Sequence, residues 1–341
     1  MTLGTMTFGA RGDFGMVGST DVATATRQVD ACLDAGVNLF DTADMYSDGE
    51  SEEILGQAIS GRRDRLLLAT KARMAVGDGP NETGLSRQHL IWQCESSLRR
   101  LGTEYIDLYQ THEWDGITPL EETLDTLVRS GNVRYVGSSN LSGWQLMKAL
   151  GVSDMLGLQR YASQHIYYSL EARDAEYELV PLAVDQVRSI LVWSPLAGGL
   201  FSGKYRRDED AAEGRHLTDW DEPPVRDPEK LHDTIGVLVE IADGHGVSAA
   251  QVALAWLLGR PGVASVVVGA RTEEQLQDNL AAADLRLSEQ ERTRLDEVSA
   301  PPLLYPYWHQ AKTTSDRLSP ADLTLLGPHL DLPEHAESEV L

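Results

Sequence analysis

The sequence predicts an α/β protein folded as a single (β/α)8 barrel, the TIM barrel, and three observations carry that expectation. Eight short apolar runs alternate with amphipathic stretches along most of the chain, the pattern of repeated β-α units. Several runs are apolar without alternation, as in Leu66-Leu67-Leu68-Ala69 and Val266-Val267-Val268, which suits parallel strands covered on both faces. The length of 341 residues fits two ordinary domains or one barrel, and no interdomain linker breaks the alternation.

The eight strands are expected at residues 3–7, 38–42, 65–71, 106–112, 133–138, 156–162, 190–194 and 263–269. Between them, Leu90, Ile91, Cys94, Leu98 and Leu101 share one helical stripe, as do Leu120, Leu124, Leu127 and Val128, and such stripes pack onto a barrel. Thr118-Pro119-Leu120-Glu121, Ser142 with Gln145, and Ser288 with Glu291 read as capping boxes that open helices. The stretch 206–228, rich in charge, Gly and Pro, reads as a long connection after the seventh strand. The barrel is therefore assigned to residues 1–300. Residues 301–341 are expected to form a tail, partly ordered by its aromatic residues over the barrel mouth.

Composition narrows the function. A formal net charge of -24 disfavours nucleic acid and anionic membrane surfaces, both of which reward clustered Lys and Arg. No apolar run reaches the roughly 20 residues that span a bilayer, and no signal-peptide pattern opens the chain, so a cytoplasmic protein is expected. Two cysteines, Cys32 and Cys94, suggest neither a disulfide framework nor a zinc site. His216, His232 and His245 lack spaced Asp, Glu or Cys partners, so no metal is expected.

Four polar residues stand at or just past the C-terminal ends of consecutive strands: Asp41 and Tyr46, then Lys71, then His112. In a (β/α)8 barrel these ends converge on the face that carries active sites. A phenol with an ordinary pKa near 10 is a slow proton relay at neutral pH. A neighbouring ammonium lowers that pKa, and a carboxylate keeps the ammonium charged, roles that fit Lys71 and Asp41 beside Tyr46. A neutral imidazole, His112, can donate a hydrogen bond to a substrate oxygen. Any one of these could be structural, as a turn cap, a half-buried aromatic or an ion-pair partner. The four together point to chemistry.

The stretches carrying these residues resemble the aldo-keto reductase family, in the bacterial branch related to potassium-channel beta subunits. The matching segments are Asn38-Leu39-Phe40-Asp41-Thr42-Ala43-Asp44-Met45-Tyr46 with Ser51-Glu52-Glu53-Ile54-Leu55-Gly56, then Ala69-Thr70-Lys71. They continue with Tyr105-Ile106-Asp107-Leu108-Tyr109-Gln110-Thr111-His112 and Gly131-Asn132-Val133-Arg134-Tyr135-Val136-Gly137-Ser138-Ser139-Asn140. The resemblance covers roughly residues 3–299. It implies that Tyr46 is the general acid or base, that Lys71 and Asp41 tune it, and that His112 orients the substrate carbonyl.

It also implies a nicotinamide cofactor bound without a G-x-G-x-x-G fingerprint, and none is found here. Ser139, Asn140 and Gln164 match positions that hold the carboxamide, and Trp193 the aromatic that stacks on the nicotinamide. Ser194, Pro195, Leu196 and Gly198, with Lys204 nearby, match the pyrophosphate loop. Gly269, Arg271, Gln275 and Asn279 match the adenosine end, and Gly4, Thr5 and Met6 add contacts at the end of the first strand. Arg271 at a helix start suggests a 2′-phosphate, hence NADP (NADPH) over NAD. Thr272 with Gln275 also fits a capping box, an alternative use for Gln275. Family members carry a short hairpin before the first strand, whereas this chain begins almost inside Leu3-Gly4-Thr5-Met6, so either the hairpin is missing or the true start lies upstream.

The expected function is reversible reduction of an aldehyde or ketone to an alcohol. The substrate is a small carbonyl or alcohol, with Met6, Phe8, Trp114 and the tail aromatic Tyr305 or Trp308 expected to line its pocket. A cofactor-sensing regulatory subunit of the channel type is the alternative reading. A third, an aldolase using Lys71 as a Schiff base, needs an uncharged lysine.

Overall fold

A computed structural model describes residues 1–129, 131–207, 224–313 and 317–330. Eight parallel strands close into a barrel in sequence order: β1 (Thr2–Gly4), β2 (Leu39–Asp41), β3 (Leu67–Ala72), β4 (Ile106–Thr111), β5 (Val133–Ser139), β6 (Ser163–Tyr167), β7 (Ser189–Trp193) and β8 (Val263–Val268). The closing seam pairs Thr2 with Val267 and Leu3 with Val268. The ring expected from the alternation is therefore present.

Strand parity sorts the side chains into two layers. Leu3, Phe40, Leu68, Tyr109, Val136, Ile166, Ile190, Val192 and Val266 face outward into the buried layer under the helices. Gly4, Asp41, Lys71, Gln110, Ser139, His165 and Trp193 take the opposite parity and face the barrel axis. The helices supplying the outer layer include α1 (Val22–Asp34), α2 (Glu50–Ala58), α3 (Arg87–Leu101), α4 (Leu120–Arg129), α5 (Gly143–Leu156), α6 (Ala175–Asp185), α7 (Pro228–His245), α8 (Ala249–Leu258), α9 (Glu273–Ala281) and α10 (Glu289–Val298).

Helix starts follow their caps. Ser142 with Gln145 and Ser288 with Glu291 both form capping boxes. Near the start of α4 at Leu120, the Thr118 hydroxyl donates to Asp115 Oδ2 at 2.7 Å. Leu90, Cys94 and Leu101 are buried as the stripe requires, while Ile91 turns to the surface.

The sixth strand departs from expectation. Residues 156–162 are not a strand: α5 runs through Leu156 and stops at Gly157 in the left-handed region (φ 65°), and β6 starts at Ser163. The first strand is also shorter than expected and ends at Gly4. Most of the connection expected at 206–228, and His216 with it, lies outside the described residues. The tail forms α11 (Tyr307–Thr313) and α12 (Pro320–Leu326), and α12 buries Ala321, Leu325 and Leu326 as it packs on α6. Its acidic end, 331–341, lies outside the described residues. No helix among the described residues is long and apolar enough to cross a membrane.

Candidate active site

The turn after β2 sets the position of Tyr46. Ser47 (φ 50°), Asp48 (φ 54°) and Gly49 (φ 87°) are all in the left-handed region, which costs about 1–3 kcal/mol for each non-glycine residue and persists only when surroundings fix it. Two contacts do so. Ser47 Oγ donates to the Phe8 carbonyl at 3.0 Å, and a Cβ on Gly49 would lie 2.9 Å from Arg100 Cδ. Helix α2 is locked behind this turn: Ser51 Oγ donates to the Thr5 carbonyl at 2.7 Å. Fully buried Glu52 accepts from Thr70 Oγ1 at 2.6 Å and from Arg100 Nε at 2.7 Å.

Lys71 is fully enclosed, and its ammonium donates to Asp41 Oδ1 and, at 2.8 Å, to the Thr42 carbonyl. The other oxygen of Asp41 accepts from Gln110 Nε2 at 3.0 Å. The same ammonium sits 5.3 Å from the Tyr46 ring centre. The His112 ring meets Tyr46 edge to face at 6.0 Å. The four expected residues thus form one cluster.

The electrostatics assign their charges. Burial alone would neutralise Lys71, but Asp41 and the Tyr46 phenol together hold its pKa above the ordinary lysine value. Burial pushes the Tyr46 phenol above its ordinary value, and the Lys71 charge pulls against that shift without cancelling it. The lysine therefore offsets burial; it does not by itself bring the phenol toward neutrality. Burial, and secondarily the Lys71 charge, lowers His112 from 6.5 to about 3, so its imidazole is neutral at physiological pH.

A polar chain links the mouth across three strands. Asn140, in the left-handed region (φ 56°), donates to the His112 carbonyl at 3.1 Å and accepts from Trp193 Nε1 at 3.0 Å. Trp193 stacks on Tyr167 with centroids 4.9 Å apart, so one face of its indole is covered by protein. Beyond it, Ser194 and Ala197 (φ 48° and 49°) and Gly198, Gly199 and Gly203 all have positive φ, and Ser194 Oγ accepts from Gly198 N at 3.1 Å. The N–H groups of Ala197, Gly199 and Phe201 are likewise engaged within the loop, by the Ser194 and Leu196 carbonyls. Pro195 and Leu196 belong to this loop and Lys204 follows it.

At the eighth strand, Arg271 borders an open cavity of about 290 Å³ walled by residues 15–20 and Thr24, with its Nε donating to the Val17 carbonyl at 3.2 Å. Gln275 is used locally: its Oε1 accepts from Arg271 N at 3.0 Å. Asn279 is buried, and its amide lies 3.4 Å from the Gly269 carbonyl. Thr5 is enclosed and tied to Ser51, Gly4 lies against Val267, and Met6 is half-buried.

Four expected positions differ. Gln164 has outward parity, and its amide donates to the Leu179 carbonyl of α6 at 2.8 Å, so the inward residue of β6 is His165. Phe8 is fully buried in the core under α1 and α2 and lines no open pocket. Tyr305 and Trp308 are exposed and face each other at 6.2 Å. His165 was missed because a one-residue offset reverses parity; its only signal was the alternation Ser163, His165, Tyr167.

The class defined by this fold and site is a (β/α)8 protein whose C-terminal mouth gathers a phenol, an ammonium, a carboxylate and a neutral imidazole. A model of the aldo/keto reductase family matches residues 1–300, and the chain belongs to that family. An uncharacterized oxidoreductase of Bacillus subtilis is 37% identical over 87% of this chain and 91% of its own length. A probable voltage-gated potassium channel subunit beta of Arabidopsis thaliana is 35% identical over 84% and 89%. A versiconal hemiacetal acetate reductase of Aspergillus parasiticus is 32% identical over 82% and 87%.

Proposed function

We propose that the protein is a cytoplasmic NADPH-dependent reductase of aldehydes or ketones, reversible at high alcohol, with Tyr46 as proton donor. The observation that carries this reading is the buried, hydrogen-bonded Lys71–Asp41 pair, its ammonium 5.3 Å from the Tyr46 ring centre, beside a neutral His112. His112 donates a hydrogen bond to the substrate oxygen and fixes the carbonyl. The Tyr46 hydroxyl gives its proton to that oxygen as negative charge develops on it, and Lys71 stabilises the phenolate left behind. Asp41 keeps Lys71 charged and in place, which also makes Lys71 a poor Schiff-base nucleophile.

The cofactor, when bound, supplies the hydride. Three features support the fit: the left-handed loop 194–203 with Lys204 for the pyrophosphate, Ser139 and Asn140 beside Trp193 for the nicotinamide end, and Arg271 on its cavity for a 2′-phosphate. Gln275 and Asn279 serve that end through the backbone they brace. The resemblance to a channel beta subunit favours a second reading, a cofactor-sensing regulator.

A panel of aldehydes, ketones and sugars, followed by loss of nicotinamide absorbance with NADPH and NADH in parallel, tests the proposal. Turnover of at least one carbonyl class is expected, with NADPH preferred and the preference reduced in Arg271→Ala. Tight NADPH binding with no turnover on any carbonyl would favour the regulator instead.

A further inference from the structure

The cation that follows Lys71 along the chain has no part in the mechanism above. Arg73 comes directly after β3, and its backbone is held at φ 150°, a conformation that favours glycine. Two donors from the following loop fix it there: the Gly84 N–H and the Thr83 hydroxyl donate to the Arg73 carbonyl at 2.8 and 3.1 Å. Strained backbone of this kind persists only where its surroundings determine it, and it concentrates at working sites.

The same geometry puts the guanidinium beside the reaction centre. His112 N donates to the Ala72 carbonyl at 2.9 Å, so Arg73 and Glu113 leave adjacent strands side by side. Arg73 Nη1 pairs with Glu113 Oε2 at 3.1 Å, and the arginine charge reaches His112, where it adds to the lowering of the imidazole pKa. That pairing does not exhaust the arginine. Its side chain is 31% exposed, Glu113 is itself open to solvent, and Nε has no hydrogen-bond partner among the described residues. A guanidinium carries five N–H donors in a planar fork that matches a carboxylate.

The rest of this rim suits an anion carried on an apolar body. Trp114 meets the exposed Trp144 edge to face at 5.6 Å, and Lys148 Nζ lies 5.9 Å from the Trp114 ring centre. Asp115, the other carboxylate of this loop, accepts from the N–H groups of Leu85 and Ile117 and from the Thr118 hydroxyl, so its oxygens are engaged within the protein. In a chain of net charge -24, the rim above His112 thus sets two solvent-accessible cations on either side of an indole pair.

We propose that Arg73 is a specificity-determining residue that selects carbonyl substrates bearing a carboxylate, the acid group docking on the exposed guanidinium while the carbonyl meets His112 and Tyr46. The proposal rests on the reductase reading above and names its substrate class.

The test uses the full chain with NADPH and the 2-, 3- and 4-formylbenzoates, each against the formylbenzamide of the same shape, which carries no charge. Wild type is expected to prefer at least one formylbenzoate by about tenfold or more in kcat/KM, the worth of one charge-assisted hydrogen bond, and to lose part of that preference in high salt. In Arg73→Leu the preference should fall toward unity through loss on the formylbenzoate alone. Arg73→Lys should keep part of it, and Glu113→Gln should raise it by removing a competing carboxylate. No preference in wild type, an unchanged preference in Arg73→Leu, or an equal fall on both members of a pair, the mark of a merely structural arginine, would overturn the proposal. Failure of wild type to reduce any carbonyl would sink the reductase reading itself, whereas turnover of neutral carbonyls without a preference for the acid would sink this assignment only.

Discussion

Lys71 has no solvent contact, so its charge depends on Asp41 and on the Thr42 carbonyl. Removing one partner of a buried pair strands the other. Asp41→Asn should therefore lower stability by about 3–5 kcal/mol, read as a fall in the denaturation midpoint, and should slow turnover with little change in cofactor affinity. His112 adds a pH dependence. Its folded pKa, about 3, lies below its ordinary 6.5. The neutral form is favoured by folding, so the stabilising contribution is complete above 6.5 and is lost as pH falls toward 3. Thermal melts should show destabilisation setting in just below pH 6.5, above the range where most carboxylates titrate, and His112→Asn should reduce that slope. At this scale the tetrad was legible in the sequence because each member sits at a strand end, where barrel geometry fixes direction. The β6 residue was not: Gln164 and His165 are adjacent, and only the register tells which one faces the axis.

Helix α2 shows how an element holds a site it scarcely touches. Glu52 ties Thr70 on β3 to Arg100 on α3 directly behind the Tyr46 turn. Glu52→Ala should cost about 3 kcal/mol, because Arg100 retains some solvent access, lowering the melting temperature by roughly 4 °C for a chain of this size. If the midpoint did not move, the lock would be dispensable. Strands β3, β4 and β8 were readable as apolar runs because their outward residues are buried under helices. Strand β6 was not, since Ser163, Gln164 and His165 are polar and its apolar signal is confined to Ile166 and the tyrosines. The apolar run just upstream belongs instead to the end of α5, where Gly157 supplies the left-handed stop.

Across the whole molecule, the barrel closes through a first strand of only three residues. A Cβ on Gly4 would sit 2.8 Å from Val267 Cγ1, so Gly4→Val should overpack the seam and cost about 1–3 kcal/mol. Gly269→Ala, whose Cβ would meet nothing nearer than 3.5 Å, should be tolerated, and chemical denaturation of the two variants distinguishes them. On the far side, Arg173, Glu176, Arg260 and Asp296 link α6 and the loop before β8 to α10. Long-range ion pairs of this kind leave no periodic trace, so the sequence did not reveal them. The placement of the tail on α6 was likewise beyond periodicity, because it depends on which helix presents a complementary apolar face. Proton transfer from one phenol decides the proposed reaction, and Tyr46→Phe isolates it, with NADPH affinity and turnover measured on the same preparation. Turnover should fall by at least about a hundredfold, the usual contribution of a positioned acid, while NADPH still binds within a few-fold of wild type. Wild-type turnover in that variant would mean that Tyr46 is not the proton donor.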